Sequence, residues 1–286
     1  FSKVLLFGEH TVVNGASAIA IPFPHFYGSW KFNNSDIDRN LSSFADYIDH
    51  HDYLFQKIAI DKFFADLDRG LVFDSNIPMG YGLGSSGALV AAVYKRYGLD
   101  IEDINHRELN QHLADLESHF HGRSSGFDPM VCYLNQAVIS KNGRFIAIEK
   151  IELPKEEYQL FLMNTNVSRS TGPLVEKFQT FYEAVENRRR INKEYIPIVN
   201  QAIDSLLKSD NELLYSSLEA VSGYQYAYLD FLIDEGSKAI WKEGLASDYF
   251  KIKICGAGGG GYLLGITKSM NQLLTDYPTR DIIPIK

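Results

Sequence analysis

The 286-residue chain lacks several features that mark special classes of protein. It has only two cysteines, Cys132 and Cys255, which lie far apart and form no CxxC pair. A disulfide framework or a cysteine-based zinc site is therefore not expected. No apolar run approaches the roughly 20 residues of a membrane span, and no signal peptide is visible. We expect a reduced, cytoplasmic protein that does not enter a membrane.

Positive charge is also scarce. Lysine and arginine total 28 against 36 aspartates and glutamates, so the formal net charge is −8. A nucleic-acid-binding protein usually carries a basic excess or stripe, so this class is disfavoured. The one dense basic run, Arg188 to Arg190, is interpreted as a solvated helix face. Local basic groups can still bind small anions.

The patterning changes along the chain. Short apolar runs and turn signals alternate in the first part, and residues 172–244 are patterned almost entirely as helix. Asn14-Gly15 predicts a hairpin turn between two strands, as does Asn142-Gly143. Apolar spacing predicts a helix over 54–67 and another from about Ser86 to Tyr97, ended by Gly98 as its C′ residue. The change in pattern near 155–175 indicates a domain boundary.

A glycine-rich loop, PMGYGLGSSGA at residues 78–88, runs directly into the helix predicted from Ser86. It is neither a Walker A motif nor GxGxxG, because no lysine follows the glycines and Ser85 occupies the last glycine position. Glycines allow positive φ and close backbone approach, and a helix N-terminus offers free N–H groups, so the loop is typical of phosphate binding. A mobile turn behind a serine N-cap is the alternative.

A second loop at residues 256–261 matches GxGxxG literally. The dinucleotide fingerprint needs a helix after the glycines, whereas YLLGI follows here and predicts a strand. We therefore reject a dinucleotide site at this loop.

Two carboxylates lie close together in the segment ESHFHGRSSGFD, at Glu117 and Asp128. One could hold Mg²⁺ through hard oxygen contacts, and the other could orient or deprotonate a hydroxyl group. The alternatives are structural. Asp128 could be an N-cap in front of Pro129, and Glu117 could be a solvated helix end, although an acid there opposes the helix dipole. The nearby histidines are not expected to form a metal cluster, since His119 and His121 face different sides of a helix.

Four segments in this order resemble the GHMP kinase superfamily: KVLLFGEHTVVNG, PMGYGLGSSGA, ESHFHGRSSGFD and KICGAGGGG. The resemblance covers most of the chain, and each loop is weak alone while the ordered set is specific. Within the superfamily, which includes galactokinase, homoserine kinase and phosphomevalonate kinase, the chain is most similar to mevalonate kinases. The segment NTNVSRST at residues 164–171 resembles their loop over the substrate.

The resemblance implies an α+β, two-domain fold. Residues 1–157 would form an ATP-binding and catalytic domain like ribosomal protein S5 domain 2. Residues 158–286 would form a ferredoxin-like substrate or lid domain. The implied activity is ATP- and Mg²⁺-dependent phosphorylation of the hydroxyl of a small metabolite, mevalonate to 5-phosphomevalonate. The partners expected are this substrate and ATP, without nucleic acid or membrane; a homodimer stays open.

Residue roles follow from the resemblance by position. Asp128 would be the catalytic base and Lys3 would lie beside it and the substrate hydroxyl, where it could stabilise a developing alkoxide. Ser86 and Glu117 would be ligands of Mg²⁺. The ATP phosphates would be bound by Gly80, Gly82, Leu83, Gly84, Ser85 and Ser86. The substrate would be contacted or enclosed by His10, Arg169, Thr171, Gly256, Ala257 and Gly258.

Arg169 has two interpretations, a contact with a substrate carboxylate or phosphate and a surface salt bridge. Only Lys3 and Arg169 are evident cations near the site, which favours a substrate without a phosphate. Another small-molecule kinase of the superfamily, acting on a sugar, homoserine or phosphomevalonate, remains an alternative, as does a non-catalytic nucleotide-binding homologue. Retention of Lys3, Ser86, Glu117 and Asp128 argues against the non-catalytic homologue.

Overall fold

The computed structural model describes residues 1–33, 38–99, 101–102 and 104–286. The first part of the chain contains β1 (Ser2–Phe7), β2 (Ala18–Phe23), β3 (Gly28–Phe32), α1 (Arg39–Asp49), α2 (Ile60–Asp68), β4 (Leu71–Ser75), α3 (Ser85–Tyr97), α4 (His106–His121), α5 (Phe127–Leu134), β5 (Ala137–Lys141) and β6 (Arg144–Ile148). Short 3₁₀ turns lie at Thr11–Asn14 and Leu54–Gln56.

The second part is mostly helical between its first and last strands, as the sequence predicts. It contains β7 (Gln159–Asn164), α6 (Thr171–Glu183), α7 (Val185–Arg190), α8 (Ile196–Leu207), α9 (Asn211–Tyr228), α10 (Glu235–Ala246), β8 (Phe250–Ile254), β9 (Tyr262–Thr267), α11 (Met270–Asp276) and β10 (Ile282–Pro284). A π-helical turn joins α7 to α8 at Ile191–Tyr195, and a 3₁₀ turn lies at Asp230–Leu232. The predicted α+β class is confirmed.

The described strands form three antiparallel sheets. The first has the strand order β1-β2-β5-β6, and the second has the order β10-β7-β9-β8. A two-stranded sheet pairs β3 with β4. In the part of the chain that the structure describes, no helix is both long enough and apolar enough to cross a membrane.

In the first sheet, β1, β2 and most of β5 are buried on both faces, which explains their nearly continuous apolar runs, while β6 is partly exposed. Leu5, Ala20 and Val138 pack in the cluster formed with the helices α1 to α5. Val4 and Leu6, on the opposite face, belong to the core that continues through the second half. Because side chains alternate along a strand, Lys3 shares the face of Leu5, towards the helical layer. This placement brings a lysine from β1 to the helices that carry the predicted site.

Three local predictions need correction. Asn14-Gly15 is not a two-residue hairpin turn: Gly15, with φ +85°, ends the 3₁₀ turn inside a longer β1–β2 loop. The helix predicted over 54–67 is interrupted, because Ile58 forms a bridge with Gly98 and Ala59 donates to the Tyr97 carbonyl. Gly98 ends α3 with φ −59°, so it is not a left-handed C′ residue.

A glycine is required at position 98 because there is no room for a side chain, and its backbone conformation does not demand one. A Cβ there would lie 2.5 Å from the Tyr94 carbonyl oxygen. The turn at Asn142-Gly143 is confirmed, with φ +52° and +69° between β5 and β6. Positive φ at both central residues is the type I′ geometry that Asn-Gly favours.

Candidate active site

The first glycine loop enters α3 through three glycines in the left-handed region. Gly80, Gly82 and Gly84 have φ of +79°, +80° and +73°. Gly84 is the N-cap of α3, and Ser85 is already the first helical residue. The serine N-cap alternative is therefore wrong. No described side chain caps the first turn of α3, so its N–H groups keep their capacity to bind an anion.

These glycines are required by neighbours that are themselves predicted site residues. A Cβ on Gly82 would lie 2.7 Å from Nη2 of Arg169, and one on Gly84 would lie 2.9 Å from Cγ of Lys3. Leu83 is buried, and its carbonyl accepts a hydrogen bond of 3.0 Å from the Lys3 backbone N–H. The loop is thus held against β1 and the Arg169 side chain.

Lys3 forms an ion pair with Asp128. Nζ of Lys3 lies 2.8 Å from Oδ2 of Asp128, and the carboxylate side chain is 34% exposed while the lysine is buried. Burial alone would lower the pKa of Lys3, but the charge and hydrogen bond of Asp128 outweigh it, and the pKa of Lys3 is raised. A charged ammonium group thus lies beside a carboxylate that solvent and substrate can reach.

Asp128 is not an N-cap. The N-cap of α5 is Gly126, with φ +72°, and Asp128 lies in the first helical turn together with Pro129. The first turns of α3 and α5 meet at Gly87, where a Cβ would lie 2.9 Å from the Pro129 nitrogen and 3.2 Å from Cβ of Asp128. Two helix N-termini therefore converge on one point, where their dipoles favour negative charge.

Glu117 is buried, so the solvated-helix-end alternative is wrong. Its Oε1 accepts a hydrogen bond of 3.2 Å from the Ser86 hydroxyl, and its Oε2 accepts one from the Ser124 hydroxyl. Burial, and then the charge of Asp128, raise the pKa of Glu117 to about 7, although both hydroxyls and Lys3 oppose the shift. A carboxylate in this state gains from a nearby cation.

The Ser86 hydroxyl and the Glu117 carboxylate are chemically suited to bind a magnesium ion. Both donors are hard oxygens, and Mg²⁺ is commonly bound through one or two carboxylates with water and substrate phosphates completing its shell. Among the described residues, no group of three or more His, Cys, Asp or Glu side chains could hold a metal. Of the histidines around α4, His112 lies between the hydroxyls of Tyr53 and Tyr94, and His119 stacks on Phe44.

Arg169 lies between the two glycine loops. Its Nη1 donates to the Thr171 hydroxyl at 2.7 Å, and its Nη2 would be only 2.9 Å from a Cβ on Gly256, as well as close to Gly82. Nε is buried without a hydrogen-bond partner, and no carboxylate of the described residues lies within salt-bridge distance. Burial lowers the pKa of Arg169. The buried positive charge of its guanidinium group therefore has no negatively charged partner among the described residues, and such a charge is costly unless it is paired.

His10 connects the end of β1 to the second glycine loop. Its Nε2 lies 3.1 Å from the Ala257 carbonyl oxygen, and its ring stacks on Phe178 at 4.7 Å. Burial lowers the pKa of His10 to about 4, so the ring is neutral at physiological pH. A neutral ring donates one hydrogen bond to that carbonyl. In the same loop, a Cβ on Gly258 would clash with the Leu232 carbonyl oxygen.

The loops also touch one another through the backbone. Arg169 N–H donates to the Gly80 carbonyl at 3.2 Å, and Gly261 N–H donates to the Val167 carbonyl at 2.7 Å. A Cβ on Gly261 would lie 2.6 Å from the Tyr81 carbonyl oxygen. The structure thus brings the loops of residues 80–84, 165–171 and 255–261 to one place.

A buried ion pair was missed by the sequence analysis. Glu9 and Lys253 form a salt bridge between the end of β1 and β8, and both side chains are almost fully buried. Lys253 also donates to the Ile254 carbonyl, while Oε2 of Glu9 has no partner among the described residues. Both residues lie within segments quoted above for the resemblance. A lysine in an alternating strand predicts a solvent-facing position, so nothing local signalled this pair.

The chain is similar in sequence to known kinases. Residues 52–136 match the family model for the N-terminal domain of GHMP kinases, a range that includes the first glycine loop, Glu117 and Asp128. Mevalonate kinase of Archaeoglobus fulgidus is 28% identical over 280 residues, which cover 93% of this chain and 90% of that protein.

Solved structures share the fold. The crystal structure of L. major mevalonate kinase in complex with R-mevalonate aligns with a TM-score of 0.68 at 19% identity, covering 99% of this chain and 94% of that one. Lactococcus lactis galactokinase complexed with galactose aligns with a TM-score of 0.66 at 15% identity, covering 99% and 91% of the two chains. One fold hosts several substrates, so these alignments alone do not choose between them. Together with the sequence matches, they show that the chain is similar to GHMP kinases over most of its length and shares their fold, with a GHMP kinase N-terminal domain at residues 52–136.

Proposed function

We propose that the chain transfers the γ-phosphoryl group of ATP to the hydroxyl of mevalonate, forming 5-phosphomevalonate and ADP. The observation that carries this proposal is the Lys3–Asp128 ion pair beside the Ser86–Glu117 pair, where the first turns of α3 and α5 meet. Phosphoryl transfer depends mainly on positioning and charge neutralisation, and this point of the fold concentrates both.

In the proposed reaction, a carboxylate oxygen of Asp128 accepts the proton as the substrate O–H bond breaks. The substrate oxygen bonds to the γ-phosphorus while the bond to the ADP oxygen breaks. The ammonium group of Lys3, 2.8 Å from Asp128, stabilises negative charge that develops on the substrate oxygen. The backbone N–H groups of residues 80–86 bind the phosphates at the start of α3.

Ser86 and Glu117 would hold Mg²⁺, which would supply positive charge to offset that of the phosphates. The raised pKa of Glu117, about 7, supports this assignment because burial and Asp128 leave that carboxylate without a matching positive charge of its own.

Mevalonate is favoured as substrate by two lines of support. The curated relatives that match over nine-tenths of the chain carry the name mevalonate kinase. Arg169 offers a largely buried guanidinium group with an unpartnered Nε, which suits the carboxylate of mevalonate. His10 from the first half would enclose the same substrate together with Thr171 and the 256–258 loop from the second half. In this proposal, residues 1–157 form the catalytic domain and 158–286 the substrate domain.

An ADP-release assay tests the proposal. The purified protein is given ATP and Mg²⁺ with mevalonate, phosphomevalonate, galactose or homoserine in separate reactions. We expect ADP release with mevalonate and little with the others. Turnover of galactose or homoserine alone would replace the substrate assignment and keep the reaction class. Nucleotide binding without ADP release from any acceptor would point to a non-catalytic homologue.

A further inference from the structure

The imidazole of His121 has no role in the reaction described above. It nevertheless contacts the candidate cation site, which is formed by Ser86 and Glu117. Nε2 of His121 lies 3.0 Å from the Ser86 hydroxyl oxygen. His121 is the last residue of α4 and lies one helical turn after Glu117. Residues four apart lie on the same side of a helix, so Glu117 and His121 approach Ser86 from one face of α4.

The hydrogen atoms around Ser86 can be accounted for. A serine hydroxyl has one proton to donate and two lone pairs. In the structure, that proton is directed to Oε1 of Glu117 at 3.2 Å. A cation held by Ser86 and Glu117 would take a lone pair from each oxygen, so this hydrogen bond would be lost. The second oxygen of Glu117 already accepts from Ser124.

The Ser86 proton then needs another acceptor. The other side-chain atom within hydrogen-bond distance of the Ser86 hydroxyl, among the described residues, is Nε2 of His121. We propose that His121 is a positioning residue for the cation site. Its Nε2 accepts the Ser86 proton when a divalent cation replaces the Ser86–Glu117 hydrogen bond, and it thereby turns the hydroxyl lone pair towards the cation. This inference rests on the proposed function, because it takes Ser86 and Glu117 as cation ligands.

The chain offers a matched control on the same helix turn. His119 stacks on Phe44, with ring centroids 5.2 Å apart, and its ring lies 5.0 Å from that of Tyr47. Within the described residues it forms no hydrogen bond or ring contact with Ser86 or Glu117, and a phenylalanine can keep its aromatic packing. His119→Phe therefore removes a histidine next to the site without touching the Ser86 hydroxyl.

Mn²⁺ binding to the protein–ADP complex, followed by electron paramagnetic resonance, is the direct test. We expect His121→Phe to weaken Mn²⁺ binding about 3- to 10-fold, the effect of one lost hydrogen bond. His121→Gln presents an amide oxygen as acceptor and should restore most of the affinity. His119→Phe should bind Mn²⁺ as the wild type does. His121→Ala repeats the test if the phenylalanine variant does not fold.

A double-mutant cycle shows whether His121 acts through Ser86. Ser86→Ala should weaken Mn²⁺ binding, and adding His121→Phe to it should have no further effect, since alanine has no hydroxyl to orient. Unchanged affinity in both His121→Phe and His121→Ala overturns the inference, because water then serves equally well as acceptor. The inference is also overturned if His121→Phe weakens Mn²⁺ binding equally in the wild type and in Ser86→Ala.

The same series separates this inference from the function on which it rests. If Ser86→Ala and Glu117→Gln both bind Mn²⁺ as the wild type does, the cation site itself is wrong, and the role of His121 falls with it. If those two variants lose affinity while the His121 variants do not, only the positioning role is wrong.

Discussion

The two halves of the molecule, from β1 to β6 and from β7 to β10, contribute different chemical groups to the loops that meet at the candidate site. The first half contributes two carboxylates, a buried lysine and a helix N-terminus opened by glycines. The second half contributes a guanidinium group, a hydroxyl and a loop whose glycines are constrained mostly by packing. Under the proposed function, the first half performs phosphoryl transfer and the second half recognises the acceptor. Variants in each half should therefore affect different kinetic constants.

The largest effect is expected from Asp128→Asn in the first half. The amide cannot accept the substrate proton, and general-base catalysis contributes typically 10²–10⁴-fold, so we expect kcat to fall by about that factor. Asp74→Asn is the matched control, since Asp74 also pairs with a lysine, Lys31, but on the surface. Steady-state kinetics of both variants measure the difference. Retention of more than about a tenth of wild-type kcat by Asp128→Asn would remove the base assignment.

A smaller loss is expected from Gly82→Ala, also in the first half. A Cβ there would lie 2.7 Å from Nη2 of Arg169 and 3.0 Å from the Cys255 carbonyl oxygen, so the Arg169 side chain or the loop must shift, and the affinity for a non-hydrolysable ATP analogue should fall about 10-fold. The control is Gly143→Ala, whose φ is +69° but whose Cβ would meet nothing within 4 Å. Both variants carry the strain of positive φ, about 1–2 kcal/mol.

Calorimetric titration and thermal melts of the two glycine variants distinguish strain from lost binding. Equal losses of stability with unchanged nucleotide affinity in Gly82→Ala would mean that the loop is only a turn before α3.

In the second half, Arg169→Gln should raise KM for mevalonate and leave KM for ATP nearly unchanged. A hydrogen bond between charged groups contributes about 1.5–3 kcal/mol, so kcat/KM for mevalonate should fall about 10- to 100-fold. Arg189→Gln, at an exposed position of α7, is the control for loss of one positive charge. Equal falls of kcat/KM for mevalonate and for ATP would contradict the assignment of acceptor recognition to the second half.

The smallest effect concerns His10, which joins the halves. Its pKa is about 4 in the folded protein against an ordinary value of 6.5, so between these values the unfolded state binds the proton and the folded state does not. Stability from this group is complete above pH 6.5 and is lost as pH falls towards 4. The loss between pH 7 and pH 5 amounts to about 2 kcal/mol.

Urea unfolding of the wild type and of His10→Asn at pH 7 and pH 5 measures this difference. Asparagine tolerates the positive φ of 60° at this position, so the variant should fold and lose the pH dependence that His10 contributes. His50→Asn, just after the end of α1 on the surface, is the control for the loss of a histidine away from the loops. If His10→Asn has the wild-type pH dependence, the ring is not held neutral between the halves.

Local features of the site could be predicted because consecutive residues encode them. Neighbouring residues determine the backbone conformations of the glycine loop before α3 and of the Asn142-Gly143 hairpin. The spacing from Glu117 to Asp128 is likewise visible in the sequence. The α+β class was implied by the resemblance to GHMP kinases, and the alternation of short apolar runs with helical periodicity is compatible with it. The sequence also contained the ordered segments by which the family is recognised.

Only the tertiary structure decided which of these features are buried and paired. Nothing local predicts that Lys3 on β1 meets Asp128 on α5, that Glu117 is buried between two hydroxyls, or that Glu9 meets Lys253. The two structural alternatives, a serine N-cap before α3 and Asp128 as an N-cap of α5, were wrong for the same reason. Each glycine before those helices is required by a distant contact as well as by its φ. Burial and charge pairing depend on which faces pack together, and packing joins residues that are far apart in the chain.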